Sequence, residues 1–320
     1  MQESNDRNAL QETVIFQFPN ELQKEIFERA ATLNGVSAFS LTQVASYVNI
    51  WVHPILYQRI VIRSSHAVSC FFRTIRSKPM HHFSTLVKSL TLTENVGLSK
   101  VKPILAETRH IISFTLFGPA YSQEMFNILN LIRSPYLRRM TLVYRHPLER
   151  GRTGYRIHEM PPKILTTLSH LTIVTDHSDI SNNSWDNLSV AVSIATGTDF
   201  NSVLPSHPNM FQHLTHFAAS FCRYPDVYNI GKVARNLRYF AVLLHRISKY
   251  TTMNGLLDCA RSQTDFHMVI LKDLGDTASW NVDDCFGPSD FWRRVEQLVD
   301  DGYISDNGDV RHIGEDGCPL

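Results

Sequence analysis

Fifteen histidines are the first candidates for metal binding or proton transfer in this sequence. The densest group consists of His207, His213 and His216, with Cys222 nearby. It lacks the paired cysteines or the His-x-x-x-His arrangement that a tetrahedral zinc site commonly shows. His158-Glu159 is followed by Met160-Pro161-Pro162, which cannot form the helix that a His-Glu-x-x-His zinc protease requires. We therefore expect neither a metal ion nor a cofactor.

The short motifs that build common enzyme sites are absent from the sequence. It contains no Gly-x-Ser-x-Gly elbow, no Gly-x-x-x-x-Gly-Lys phosphate loop and no Gly-x-Gly-x-x-Gly turn. The acid pairs Asp283-Asp284 and Asp300-Asp301 have carboxylates suited to proton transfer. They lie in an acidic segment, however, where a solvated charged run is the simpler interpretation. The sequence therefore predicts a protein that is not an enzyme.

One stretch rich in arginine and tyrosine is suited to binding a partner. As candidate substrate-binding residues we select Arg138, Arg139, Tyr144, Arg145 and Arg152. Arginine and tyrosine are over-represented as contact residues in protein interfaces, and the same composition can bind RNA or phosphate. Because the net charge of the chain is only +1, we favour a protein partner over a nucleic acid.

A short apolar pattern recurs through the middle of the chain and predicts the elements that present this stretch. It has an aliphatic residue, two mixed residues, an apolar residue, a polar or small residue and a second apolar residue. It occurs at Val87–Leu92, Ile111–Leu116, Leu137–Leu142, Leu168–Ile173, Leu214–Ala219 and Leu237–Val242. Taking the fourth position as reference, the repeats are 23 to 46 residues apart, mostly near the length of one leucine-rich-type unit. The pattern predicts an α/β fold, an irregular leucine-rich-repeat-like solenoid with a parallel sheet.

Further segments extend or interrupt this series. Arg59–Ile62 and Met268–Leu271 have the composition of a first and a last strand. Residues 188–192 resemble a degenerate unit, and residues 151–154 are the best candidate for a protruding loop. Phe291–Val299 is an amphipathic helix, which we expect to cap the open end of the solenoid because a terminal unit must cover its apolar face.

Two helical patterns precede the first strand. The first places Leu22, Ile26, Phe27, Ala30 and Leu33 on one stripe. Its start has Asn20 and Gln23 as a capping pair, and Asn34-Gly35 marks its end. The second apolar stripe runs from Leu41 to Val52, and we expect it to end near His53 because Pro54 disfavours helix in the residue before it.

These patterns predict a disordered lead-in at 1–15, a helical domain at 16–58, the solenoid with its cap at 59–300 and a flexible acidic tail at 301–320. Residues 255–320 carry 14 acidic against 5 basic residues, a charge split that either steers a partner or lets the tail lie on the body. The five cysteines are scattered and include no Cys-x-x-Cys pair, as is typical of a reducing compartment. The sequence also lacks an apolar leader and an apolar run long enough to span a membrane. We therefore expect an intracellular protein, cytoplasmic or nuclear.

Three motifs near the start of the chain resemble the F-box-like domain of a large group of fungal, chiefly mushroom, proteins. They are Phe18-Pro19-x-Glu21-Leu22 leading to Ile26-Phe27, then Leu41-x-x-Val44-Ala45-Ser46, and Trp51-x-x-Pro54-Ile55-Leu56-Tyr57. Segments that recur later in that group are Ser77-Lys78-Pro79 before Phe83, Val87–Leu92 and Asp290–Glu296. The resemblance therefore covers most of the chain, from residue 16 to residue 300.

This resemblance implies a substrate-recognition adaptor. The F-box-like head would bind the Skp-type linker subunit of a cullin-RING ubiquitin ligase, and the leucine-rich-like body would hold a target protein. The residues implied to face the linker are Phe18, Pro19, Glu21, Leu22, Ile26, Leu41, Val44, Trp51, Ile55 and Leu56. Alternatively, the same side chains pack internally and the head only caps a stand-alone binding module. Neither interpretation involves a membrane.

Overall fold

The computed structural model describes the chain in twelve segments. These are residues 18–33, 35–79, 82–93, 96, 98–119, 128–145, 162–176, 211–220, 230–231, 234–244, 265–272 and 290–300. The chain divides into two compact units, residues 1–58 and residues 59–320, and each is described by itself. The predicted unit at 188–192, the loop at 151–154 and the tail at 301–320 lie outside the described residues.

Helices make up the described part of the first unit. They are α1 at Asn20–Leu33, α2 at Gly35–Leu41 and α3 at Ser46–Leu56. Four small buried side chains lie between them: Ala31, Ala38, Val48 and Val52. Half-buried apolar side chains pack around these four, namely Phe27, Leu41, Ala45, Trp51, Ile55 and Leu56. Because isolated helices of this length are marginal in water, this shared interior is what stabilises them.

The apolar stripe that the sequence predicts from Leu41 to Val52 does not belong to one helix, since Leu41 ends α2. Residues 42–44 form a turn, in which each backbone N–H donates to the carbonyl three residues earlier, and α3 begins only after it. The predicted end near His53 is also wrong, since α3 continues through Pro54 to Leu56. A proline removes one helical hydrogen bond and crowds the preceding turn. In the last turn of a helix that loss is small, because few bonds follow it.

Eight parallel strands form one sheet in the second unit, and their order in the sheet is their order in the chain. They are β1 at Arg59–Ile62, β2 at Ser89–Leu92, β3 at Ser113–Pro119, β4 at Arg139–Arg145, β5 at His170–Asp176, β6 at His216–Ser220, β7 at Tyr239–Leu244 and β8 at His267–Lys272. The α/β class and the parallel sheet predicted from the sequence are confirmed. Each strand falls on one of the recurring patterns or on one of the two flanking strand segments.

The helices described in the second unit are α4 at Ser65–Arg76, α5 at His82–Leu86, α6 at Leu98–Glu107, α7 at Pro162–Leu165 and α8 at Asp290–Asp300. All but α8 lie in the chain between consecutive strands. The hydroxyl of Ser64 accepts a hydrogen bond from the N–H of Ala67 at 3.2 Å and so caps the start of α4. Among the described residues, no helix combines the length and the apolar character needed to cross a bilayer.

The recurring pattern determines the register of the sheet. Its reference positions are direct partners across all eight strands, in the row Ile60, Leu90, Phe114, Met140, Leu171, Phe217, Phe240 and Met268. From β2 onward these side chains are at most 3% exposed. Since successive side chains of a strand point to opposite faces, the whole row lies on one face of the sheet, which we call the core face.

Backbone hydrogen bonds just before the strands hold the same register. The N–H groups of Arg138 and Arg139 both donate to the carbonyl of Ile112, at 2.8 and 3.0 Å. The same pairing recurs in the following repeats, where the carbonyls of Arg138, Ser169 and Thr215 are the acceptors. Each of these carbonyls therefore fixes the point at which the next strand begins.

Replacing Phe114 by alanine should lower the free energy of unfolding by about 3–5 kcal/mol, because the change leaves a cavity in the core face. Ile112→Ala is the matched control, since Ile112 is 40% exposed, and it should cost less than about 1 kcal/mol. Urea-induced unfolding followed by circular dichroism measures both. Equal losses in the two variants would contradict the assigned core face.

Candidate functional site

Exposed apolar side chains are concentrated in the first unit. Of the ten large ones among the described residues, eight lie between residues 18 and 50, with exposures of 46 to 81%. They are Phe18, Leu22, Ile26, Leu33, Phe39, Val44, Tyr47 and Ile50. Single exposed apolar residues are normal on any protein. Such a concentration in one small unit is typical of a surface that binds another molecule.

Two of these residues lie on one side of α1. Leu22 and Ile26 are four residues apart, a spacing that places side chains on the same side of a helix. Phe18 lies two residues before the helix begins. Gln23 holds this region in place, because its Nε2 donates to the Phe18 carbonyl at 2.6 Å and its Oε1 accepts from the Tyr47 hydroxyl at 3.3 Å. The side chain of Gln23 therefore bonds to Phe18 and Tyr47, whereas the sequence predicts a capping pair with Asn20.

The ten residues predicted to face a linker divide into two groups. Six are exposed and form what we call the head surface: Phe18, Pro19, Glu21, Leu22, Ile26 and Val44. The other four, Leu41, Trp51, Ile55 and Leu56, are half-buried and pack against the interior of the unit. Trp51 also packs edge-on against Tyr47, with ring centroids 5.0 Å apart. These four side chains stabilise the helices that present the head surface.

The predicted substrate-binding residues have different surroundings. The guanidinium Nη1 of Arg138 donates to the carbonyls of Leu137 and Thr167, at 3.2 and 3.3 Å. This side chain therefore connects two neighbouring repeats of the second unit. Arg139 is half-buried and is the register partner of His170. The strand positions of Tyr144 and Arg145 pair with residues 175 and 176 of β5, but their side chains and the whole of Arg152 lie outside the described residues.

A row of rings lies on the face of the sheet opposite the core face. It consists of four ring-bearing side chains and one arginine, each one residue before the reference position of its strand. In the order of the strands they are Arg139, His170, His216, Tyr239 and His267. We call this the imidazole row. The rings of His170 and His216 are stacked, with centroids 4.0 Å apart, and His216 stacks on Tyr239 at 4.9 Å. The histidine spacing of the sequence indicates only His216, as a candidate zinc ligand. The shared register of the repeats is the feature that places all five residues in one row.

The helix α8 packs on the imidazole row. The Trp292 ring meets His170 and His216 edge-on, with centroids 5.8 and 5.0 Å apart, and Nε2 of His216 lies 2.9 Å from Oε1 of Glu296. Trp292, Val295 and Leu298 belong to a buried cluster with sheet residues Phe117, Val143, Val174, Ala218, Ala241, Leu243 and Val269. We call this side of the sheet the α8 face. The prediction that this helix caps the open end of a solenoid is therefore wrong, because α8 lies against a face of the sheet.

Side-chain size explains the position of α8. The row of register partners two residues after the imidazole row reads Thr91, Thr115, Thr141, Thr172, Ala218, Ala241 and Val269 from β2 to β8. Hydroxyl-bearing residues thus give way to two alanines and a valine where α8 packs. The alanines let a helix approach closely, and its apolar side chains are removed from water there.

Three polar contacts meet around the imidazole of His216. The Thr215 hydroxyl donates to the Ser169 carbonyl at 3.1 Å and lies 2.7 Å from Nδ1 of His216. On the other side of the ring, Nε2 lies 2.9 Å from Oε1 of Glu296. Burial lowers the pKa of His216, and the hydrogen bond to Glu296 offsets only part of this effect.

Thr215, His216 and Glu296 form a hydroxyl–imidazole–carboxylate chain, the order of groups that activates a nucleophile. His170 and Tyr239 cover the two faces of the imidazole, and the residue is 6% exposed. The hydrogen bond between His216 and Glu296 joins β6 to α8. Its role is to position the helix on the sheet.

Metal ligands are not gathered in the part of the chain that the structure describes. No group of three or more His, Cys, Asp and Glu side chains is placed there to hold a metal ion. His207 and Cys222 lie outside the described residues. Cys70 forms no disulfide, and the other four cysteines are not among the described residues.

The chain was compared with protein-family models and with curated proteins, and neither comparison finds a match. The head surface and the α8 face are therefore the features of this chain from which a function can be inferred.

Acid should weaken the second unit through His170. Burial, followed by repulsion from His216 and Arg139, lowers the pKa of His170 to about 3, whereas the unfolded value is about 6.5. As the pH falls below 6.5, the unfolded chain binds the proton first, so stability present at neutral pH is lost toward pH 3. Between pH 7 and pH 5 this loss should reach about 2 kcal/mol in urea-induced unfolding.

A variant separates this effect from general acid sensitivity. His170→Phe keeps a ring in the stack but does not titrate, so its unfolding free energy should fall less between pH 7 and pH 5. His213→Gln is the control, because His213 is exposed, and it should behave like the unaltered chain. The same pH dependence in all three proteins would show that His170 is not the titrating group.

Proposed function

We propose that this chain is a non-enzymatic substrate-recognition adaptor of a cullin-RING ubiquitin ligase. The head surface docks the Skp-type linker subunit, and the second unit is an irregular leucine-rich-repeat-like solenoid that holds a target protein. The observation that carries the proposal is the exposure of Phe18, Leu22 and Ile26, at 58, 47 and 53%. These residues belong to the motifs that resemble an F-box-like domain.

Internal packing does not account for the head surface. The interior of the three helices is filled by Ala31, Ala38, Val48 and Val52, so the face of α1 that packs inward is centred on Ala31. Leu22 and Ile26 remain on the exposed side of the same helix. Burying such side chains against a partner releases roughly 1.5–3 kcal/mol each. A linker subunit with an apolar groove is a partner that would gain from this contact.

The arrangement of the sheet supports the second part of the proposal. Strands that follow one another in the chain are neighbours in the sheet, from β1 to β8. Equivalent positions of the repeats are register partners, so the units are structurally equivalent along the series. Stacked units of this kind create extended surfaces that bind other proteins.

A second function, a stand-alone binding module whose head only stabilises the fold, is favoured by one observation. Leu41, Trp51, Ile55 and Leu56 pack into the interior of the first unit, which is expected of a purely structural domain. In that case removal of residues 1–57 should collapse the remaining chain. The adaptor proposal expects the remaining chain to keep a cooperative thermal melt.

Leu22→Asp combined with Ile26→Asp should reduce recovery of the Skp-type linker at least tenfold in a pull-down with the full-length chain, because two charges would have to be buried in the contact. Ile112→Asp is the control. It also places a carboxylate at an exposed aliphatic residue, one that is 40% exposed and lies in the second unit, outside the head surface, and it should leave recovery unchanged.

The thermal melt of the double variant checks that the fold survives, since both positions are exposed. Recovery of the linker at the unaltered level by a folded double variant would reject the head surface as the docking site.

A further inference from the structure

The sheet does not depend on α8 for its backbone hydrogen bonds. Each strand from β2 to β7 has a neighbour on both sides, whereas α8 is attached through side chains. This helix has 11 residues, which is too short to be stable alone in water. Its main anchors are Trp292, Val295 and Leu298, exposed by 5, 0 and 7%. A helix attached in this way can leave the sheet without breaking the strand ladder.

Charges across the contact are complementary. Arg139 and Arg238 act electrostatically on His216 from the sheet, while Glu296 and Asp300 act on Tyr239 from the helix. Glu296 and Asp300 are four residues apart and so lie one turn apart on α8. The α8 face thus presents basic groups and rings to a helix with an acidic edge, which defines the chemistry of the helix that it can accept.

We propose that the α8 face is a groove for an amphipathic helix of the target protein, and that α8 occupies it as an intramolecular substitute. The target helix carries an aromatic residue, an apolar residue three positions later and a carboxylate four positions later, as Trp292, Val295 and Glu296 do. Helices commonly bind grooves through anchors at these spacings. The inference rests on the proposed adaptor function for the role of the target.

The tether makes α8 a competitor of the target. A linked segment acts at an effective concentration that can reach the millimolar range, so only a helix that matches the groove well displaces it. Val295 is the position at which this competition can be removed, because its side chain is fully buried. A carboxylate placed there would have to be buried without a partner, which opposes the packing of α8 on the sheet.

The probe is a fluorescent peptide with the sequence of residues 289–301, titrated by fluorescence anisotropy against the full-length chain. It should bind the Val295→Asp chain at least tenfold more tightly than the unaltered chain, whose own α8 occupies the groove. Peptides with Trp292→Ala or Glu296→Gln should bind at least tenfold more weakly. The Gln297→Ala peptide is the matched control, since Gln297 is exposed, and it should bind like the original. Absence of binding to a folded Val295→Asp chain would overturn the inference.

Hydrogen exchange on the unaltered chain gives an answer that does not depend on a variant folding. A saturating amount of the peptide should raise the exchange rate of the chain's own 290–300 amides at least tenfold. An unchanged rate would show that α8 is a permanent part of the fold. Dimerisation of the unaltered chain that is lost on Val295→Asp would identify a second copy as the occupant and would also overturn the inference.

Failure of this inference differs from failure of the proposed function. The linker contact depends on Leu22 and Ile26, whereas the peptide contact depends on the α8 face. If the linker is recovered but the peptide does not bind, the adaptor function stands and the proposal that the target binds as a helix is rejected. If the peptide binds but the linker is not recovered, the adaptor function is rejected and the α8 face remains a helix-binding groove.

Discussion

The register of the parallel sheet is the constraint on which the rest of the second unit depends. Side chains alternate between the two faces of a strand, so a slip by one residue would exchange the faces completely. Phe217 would then lie on the α8 face and His216 in the core. Two features prevent this, namely the apolar reference row and the carbonyls that each accept two N–H groups where the next strand begins.

A shared register gives equivalent positions a shared environment, and the α8 face is a direct result. Rings that stand one residue before the reference position stack on one another because neighbouring parallel strands lie about 4.8 Å apart. The stack of His170, His216 and Tyr239 therefore follows from the same spacing that pairs the backbones. The alanines two residues later leave room for α8, so the pattern of side-chain size determines where the helix packs.

The strands and their order could be predicted from the sequence because each apolar pattern is local and repeated. The position of α8 could not, since it depends on a match between Trp292 and Glu296 and rings far away in the chain. The continuation of α3 through Pro54 depends on where the proline lies within the final turn, which the rule for the preceding residue does not consider. The stripe on α1 was visible in the sequence, but only the packing of Ala31 shows which side of the helix is buried.

The head surface and the α8 face differ in what already covers them, and this difference has a physical consequence. The side chains of Leu22 and Ile26 are exposed, so a partner can bury them without first displacing another element. Trp292 and Val295 fill the α8 face, so a helix that binds there must replace contacts of similar kind. Under the proposed function, linker docking would need no rearrangement, whereas target binding would be an exchange of one helix for another. The free energy of that exchange is the difference between two similar packing energies. The aromatic residue and the carboxylate of the incoming helix determine whether this difference favours the target.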